Sequence, residues 1–284
     1  MQEPHRQALA ELAAAAEREY LDDGADRAET ERYYSGVEPD ADPVALYTAL
    51  SHLLESTHRS RPEYRPSDEL YPWIDLQPDG KLRSVYTREE YDPRALIEEA
   101  TEIEARRQSF RAARRAERAA DGRALEAQVE HEEPYNCEHT VPQGWFAHDE
   151  PMRGDLHHLF TCEKQCNNFR ANSPFADYAD QLEKVRESCG CSEAAGFEPW
   201  AGKGPAARAT LYFLLRYPRS LDNRDPQGEY TQESVPMLLK WHDAEPVSEY
   251  ERHRNAAIFE RQGNRNPLID HPDWASGIAF AEGI

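Results

Sequence analysis

Nowhere in the 284 residues is there an apolar run of 18, so no segment is long and greasy enough to cross a bilayer as a helix. Nor does the start look like a secretory signal. Met1-Gln2-Glu3-Pro4-His5-Arg6 leads into alanines already interrupted by Glu11, Glu17 and Arg18, which reads as a solvated helix and favours a cytoplasmic location. Positive charge is scarce: 33 Lys and Arg face 54 Asp and Glu, a net −21, which is a poor match to a polyanionic partner. Cysteine is confined to residues 137–191, and no internal repeat is apparent. What remains is 39% hydrophobic and 10% aromatic, enough for a real core, in a length that permits one or two domains.

Helical signals dominate the chain. Leu9, Leu12, Ala16 and Tyr20 recur at helical spacing and predict a helix over Gln7–Leu21, ended by Asp22-Asp23-Gly24. Asp42-Pro43 supplies an N-cap and a first-turn proline for a core helix carrying Leu46, Tyr47, Leu50, Leu53 and Leu54. Leu70–Leu76 and Leu82–Tyr86 flank the turn-rich Gln77-Pro78-Asp79-Gly80-Lys81 and read as a hairpin. A long polar helix starts at Asp92-Pro93, runs to about Arg118, and continues after Asp121-Gly122. Further helices are predicted over Asp177–Glu187, Ala206–Tyr217, a segment ending at Trp241, and one restarting at Pro246.

Between these lies the stretch with chemistry in it, Cys137 to Asn172. Thr140-Val141 and Leu156–Phe160 are short apolar runs that read as strands, and Glu163–Arg170 lacks Gly and Pro and reads as a short helix: strand, loop, strand, helix. Mg²⁺ takes oxygen ligands, keeps several waters and relies on substrate phosphate, so one or two protein oxygens suffice; Glu138 and a helix asparagine can supply them. The imidazole of His139, next door, can take a proton from a water aimed at phosphorus. The pattern is that of phosphodiester hydrolysis by one metal and one general base.

At these residues the sequence resembles the endonuclease I-like nucleases of the ββα-metal (His-Me finger) superfamily. The likeness rests on Glu138-His139-Thr140-Val141-Pro142-Gln143 with Trp145-Phe146, Asp155-Leu156-His157-His158-Leu159, Asn167-x-x-Arg170-x-Asn172, and Gln262-Gly263-Asn264-Arg265-Asn266-Pro267 with Ile269-Asp270-His271-Pro272. It runs from about Tyr33 to Trp274. The resemblance implies an α+β fold: one helix-rich nuclease domain over residues 31–275 around the finger and a short β-hairpin, with an N-terminal helix (1–30) outside the likeness and a tail (276–284). It implies Glu138 and Asn167 as ligands of a catalytic Mg²⁺, His139 as general base, and Arg170 and Asn172 stabilising or positioning around them. Asn168 competes with Asn167, and only the spacing to Arg170 and Asn172 favours Asn167. Asp155 is expected as an outer carboxylate or turn anchor, and His157 as a hydrogen-bonding group within the finger. The implied substrate is DNA, and also RNA, cut with little sequence preference to 5′-phosphate ends. An unregulated nuclease in the cytoplasm is hazardous, so an inhibitor protein, a defence role or export is implied, and members of the family are commonly secreted.

The arginine run Arg106, Arg107, Arg111, Arg114, Arg115, Arg118 and Arg123 is either an exposed helix face laced with Glu102, Glu104 and Glu117 or a phosphate-binding surface. If the latter, substrate binding is weak and strongly salt-dependent. Arg208 and Arg216 face phosphate or solvent. The five cysteines, Cys137, Cys162, Cys166, Cys189 and Cys191, suggest one shared site. A structural Zn²⁺ on Cys137, Cys162, Cys166 and Cys189, with Cys191 as a substitute for the last, stands beside disulfides and free thiols. A zinc-stapled module that grips nucleic acid without cutting it is the alternative function.

Overall fold

The computed structural model describes residues 3–116, 122–178, 185–193, 196–221 and 234–284. Helices α1 (Glu3–Ala15), α2 (Asp23–Tyr33), α3 (Pro43–Thr57) and α4 (Pro66–Glu69) open the chain, followed by strands β1 (Leu82–Arg83) and β2 (Glu90–Tyr91) and helices α5 (Pro93–Ala116) and α6 (Gly122–Glu132). The finger is β3 (Cys137–His139), β4 (Leu159–Thr161) and α7 (Lys164–Arg170). Strands β5 (Val185–Glu187), β6 (Gly190–Glu193) and β7 (Gly196–Pro199) make an antiparallel sheet in that order. Helices α8 (Lys203–Arg216), α9 (Ser234–Ala244), α10 (Glu249–Gln262) and α11 (Pro267–Asp270) complete a helix-rich α+β architecture.

Several boundaries differ from the sequence reading, each for a local reason. Asp22 does not end the first helix; its carboxylate accepts from the amides of Gly24 and Ala25 and caps α2. Leu70, Tyr71, Trp73, Ile74 and Leu76 are all buried, which a half-exposed strand would not allow, and the segment coils after α4; the hairpin is instead β1 with β2, Leu82 opposite Tyr91. Helix α10 starts at Glu249 because Ser248 and Glu251 form a reciprocal capping box, so Pro246 lies outside it. The helix predicted over Asp177–Glu187 is not borne out at its end, where Val185–Glu187 pairs with β6; residues 179–184 lie outside the described residues.

Two apolar cores flank the finger. One surrounds α8, where every residue from Gly204 to Arg216 is buried, with Leu46, Leu50, Leu54, Trp145, Phe146, Leu238 and Trp241 packed round it. The other joins α1, the 70–76 coil, α5 and α10. Strand β4 faces both: Leu159 points into the second core and Phe160 into the first, the period-two alternation of a strand between two layers. Asp75 holds this strand from the coil, accepting from the Thr161 amide (2.6 Å) and the Tyr250 hydroxyl (2.7 Å), with the Arg254 guanidinium 3.2 Å away. Arg254 in turn donates to the carbonyls of Leu156 and Leu159.

The Gln262–Pro267 block is buried and supports the second half of the finger. Gln262 accepts from the Leu156 amide and donates to Asp155, and Asn264 takes the His157 ring on its carbonyl. Gly263, at φ 92°, ends α10 in a left-handed turn where a Cβ would meet the Thr57 carbonyl at 2.6 Å. Arg208 and Arg216 face neither phosphate nor solvent. Arg208 is buried in a two-pronged pair with Glu251, and Arg216 is buried against His58 and the Tyr217 ring.

Candidate active site

Strand β3 pairs antiparallel with β4 in the register Cys137 to Thr161, Glu138 to Phe160 and His139 to Leu159. The strands lie slightly off their predicted positions. Pro142 lacks an amide to extend β3, and Asp155 caps a 3₁₀ turn over Leu156–His158 before β4 begins. The predicted order of strand, loop, strand and helix is present.

Glu138 is almost fully buried. Its Oε1 accepts from the Tyr86 hydroxyl (2.8 Å) and from the Arg170 guanidinium, and neither of these bonds uses Oε2. Burial pushes its carboxyl above the usual range, partly offset by Arg170 and Tyr86. Arg170 is wholly enclosed: it also donates to the carbonyls of His139 and Thr140, and its guanidinium carbon sits 4.2 Å from the Phe175 ring centroid. In this geometry Arg170 acts on the fold of residues 138–140, holding Glu138 and the strand end together.

Asn167, on α7, donates Nδ2 to the Cys137 carbonyl at 2.9 Å. A carbonyl can only accept, so the amide orientation is fixed and Oδ1 is left for a donor or a cation. Asn168 beside it is exposed.

The His139 Nε2 lies 2.9 Å from the Arg153 carbonyl and must therefore carry the proton, so in the neutral ring the lone pair is on Nδ1. Burial, followed by the neighbouring His158, holds this imidazole well below its ordinary pKa, so it is neutral at physiological pH, with its lone pair free of a proton. The loop that presents the Arg153 carbonyl passes close to another segment: a Cβ on Gly154 would fall 1.9 Å from the Pro62 carbonyl, so only glycine fits.

The other expected residues are also placed. Asp155 is fully buried and anchors the turn, accepting from the His157 amide, Gln262, and the hydroxyls of Tyr212 (2.8 Å) and Tyr217 (2.9 Å). The His157 ring bonds the Asn264 carbonyl at 3.2 Å and packs on Tyr212 of α8, so the ring's partners lie in the Gln262 block and α8 and not within the finger. Asn172 is exposed beside Gly144, where an added Cβ would stand 3.1 Å from its Nδ2.

A cavity of about 600 Å³ gathers His139, Asn167, Asn168 and Asn172 with Gln143, Gly144 and His148 of the loop and Ala127, Glu130 and His131 of α6. Glu138 does not itself line it. The α6 wall, Gln143 and Arg153 were not anticipated as site residues. Gln143 could have been suspected from its place beside His139 and Pro142, whereas the contribution of Arg153 is a backbone carbonyl that no motif records.

The four-thiolate zinc site is not borne out. Cys166 and Cys189 form a disulfide with Cα atoms 5.5 Å apart, and sulfur so bonded is no longer a thiolate ligand. Cys137, Cys162 and Cys191 are buried and take no part in that bond, and among the described residues no group of three or more His, Cys, Asp or Glu side chains is placed to hold a metal. The oxygen pair from Glu138 and Asn167 is a different donor set, hard and small, of the type Mg²⁺ accepts alongside water and phosphate.

The fold and site therefore define a helix-rich α+β protein with an adjacent Glu-His pair at the end of a two-stranded finger and an asparagine on the following helix. The chain belongs to the endonuclease I family, whose family model, described as Endonuclease I, matches residues 45–273. It is 33% identical over 158 residues to a protein of Bacillus subtilis (strain 168) named extracellular ribonuclease, covering 51% of this chain and 54% of that protein. It is 34% identical over 134 residues to an extracellular ribonuclease of Bacillus amyloliquefaciens, covering 44% and 46%. An extracellular deoxyribonuclease of Aeromonas hydrophila is 29% identical over 126 residues, covering 42% and 50%. The chain spans about half the length of the curated relatives it matches.

Proposed function

We propose that this protein is a divalent-cation-dependent endonuclease of the His-Me finger type, hydrolysing DNA and also RNA with little sequence preference and leaving 5′-phosphate ends. The observation that carries the reading is the His139 tautomer. With Nε2–H spent on the Arg153 carbonyl and the ring kept neutral by burial, Nδ1 is a fixed acceptor beside the cavity, as a general base must be. Family membership and relatives named for both ribonuclease and deoxyribonuclease support it.

Nδ1 of His139 takes the proton of the attacking water. Glu138 through Oε2 and Asn167 through Oδ1 are the oxygens that would hold Mg²⁺, which when bound supplies charge stabilisation at the phosphate and leaving oxygen. Tyr86 and Arg170 keep the Glu138 carboxylate in place, and Asp155 and Gln262 keep the loop that presents the Arg153 carbonyl in register with β4.

A plasmid-nicking assay with Mg²⁺ and with EDTA is the test. Parent protein should nick and linearise plasmid only with the cation, and His139→Ala should lose about 10²–10⁴ in rate, the usual worth of a general base, with its circular dichroism unchanged. A His139→Ala protein that digests plasmid at the parent rate ends this assignment. The Cys166–Cys189 bond takes two of the four thiols from the zinc staple of the non-cutting alternative, and the same nicking assay separates the two readings.

A further inference from the structure

The cavity beside His139 has a shortage that the proposed reaction must meet. Among the described residues no lysine or arginine lines it; its charged or chargeable groups are Glu130, His131, His139 and His148, and the rest of its polar wall is amide. A phosphodiester entering it finds few fixed positive charges and must be held by neutral N–H donors. An amide serves best when its orientation is already set, because a pre-aimed donor costs nothing to organise when charge develops on phosphate.

One amide has that property. The Gln143 Oε1 accepts from Nε of Arg153 at 2.8 Å; a guanidinium only donates, so the contacting atom is the oxygen, and the two N–H bonds of Nε2 face elsewhere. No described group takes them up. The Gln143 backbone is held as firmly as its side chain: Pro142 precedes it, its carbonyl receives the His148 amide at 3.0 Å, and Trp145 and Phe146 two and three residues on are buried in the core around α8. It is the mirror image of Asn167, which commits its nitrogen to the Cys137 carbonyl and keeps its oxygen. The cavity thus carries one amide fixed as a donor and one fixed as an acceptor. Arg153 connects the donor to the base, since its side chain orients Gln143 while its carbonyl fixes the His139 tautomer.

We infer that Gln143 contacts the substrate, donating Nε2–H to a non-bridging oxygen of the scissile phosphate, and that Arg153 positions this donor and the His139 base together. This rests on the endonuclease reading above.

Gln143→Glu separates this role from a structural one. Glutamate keeps the shape and the oxygen that Arg153 needs but replaces the N–H donors with a second oxygen. On a short fluorescent DNA duplex with Mg²⁺, kcat/KM should fall at least 10- to 100-fold, about the worth of one hydrogen bond to a charged group. The melting temperature should not fall, and the acid limb of the pH–rate profile should stay where the parent's lies. Gln143→Ala should show the same loss of rate. A Gln143→Glu enzyme within about two-fold of a cleaving parent overturns the inference and leaves the endonuclease reading intact. A parent that cleaves neither DNA nor RNA with Mg²⁺, Mn²⁺ or Ca²⁺ removes the endonuclease reading, and this inference with it.

Discussion

The imidazoles behind the finger make acid the first stress this protein should feel. Burial holds His157 down at about 4, although Asp155 and the Asn264 carbonyl pull the other way. A buried histidine with a depressed pKa contributes stability above its unfolded value of about 6.5, and that contribution is lost as pH falls from there toward the folded value. For His157 this is about 2 kcal/mol between about pH 6.5 and about pH 5, at 1.36 kcal/mol per unit. His139, His158 and His253 are shifted the same way, also mainly by burial. Asp155 follows at lower pH. Burial tends to raise it, but His58, His157, His158 and the Gln262 hydrogen bond hold it well below the usual range, so its contribution is complete above about pH 4 and lost below. Urea unfolding should therefore show stability declining from pH 6.5 downward, and His157→Gln should flatten the upper part of that decline. A stability constant between pH 7 and pH 5 would contradict these burial effects.

At the scale of elements, α7 brings Asn167 to the finger, and the residue before it is tied by a disulfide to the turn between β5 and β6. The bridge spans a sequence separation of 23, for which chain entropy gives about 3 kcal/mol. Replacing both Cys166 and Cys189 with Ala should lower the melting temperature by roughly 6–12 °C, at about 2–4 °C per kcal/mol in a chain of this size. It should also lower kcat more than KM, because the displaced group is a proposed metal ligand and not a substrate-binding surface. A double variant that melts with the parent would show that α7 is held without the bridge.

The same elements show what could be read in advance. The finger's order was legible, because helical and strand periodicity are local properties, whereas the roles proposed for Glu138, His139 and Asn167 came from the family resemblance. The disulfide was one of three open readings, since spacing alone does not say which sulfurs meet. The coil over Leu70–Leu76 was misread because Asp75, which caps β4 from 86 residues away, gives that segment its shape. The orientation of Gln143 and the tautomer of His139 both depend on Arg153, through one guanidinium nitrogen and one carbonyl that no motif encodes.

For the whole molecule, the question raised by a net charge of −21 is where the arginines go. Many of them face inward. Arg107 is buried between Glu130 and the Tyr135 ring, and Arg106 and Arg111 pair with Glu133 and Glu104. Arg170, Arg208, Arg254 and Arg265 are buried in pairs with Glu138, Glu251, Asp75 and Asp270. For the described part of the arginine run, the reading of a helix laced with glutamates is therefore favoured; Arg114, Arg115, Arg118 and Arg123 lie outside the described side chains. For Arg106, Arg107 and Arg111 strongly salt-dependent binding then loses its premise, because counterion release needs cations placed on phosphates, and each such contact adds about 0.9 to the slope of log K against log salt. If the amide and imidazole cavity with its divalent cation does the gripping, the slope for duplex DNA in Ca²⁺, measured on His139→Ala by fluorescence anisotropy, should be no steeper than about −2. A slope near −6 would mean that an arginine surface outside the cavity carries the substrate, and would return the arginine run of residues 106–123 to the binding site.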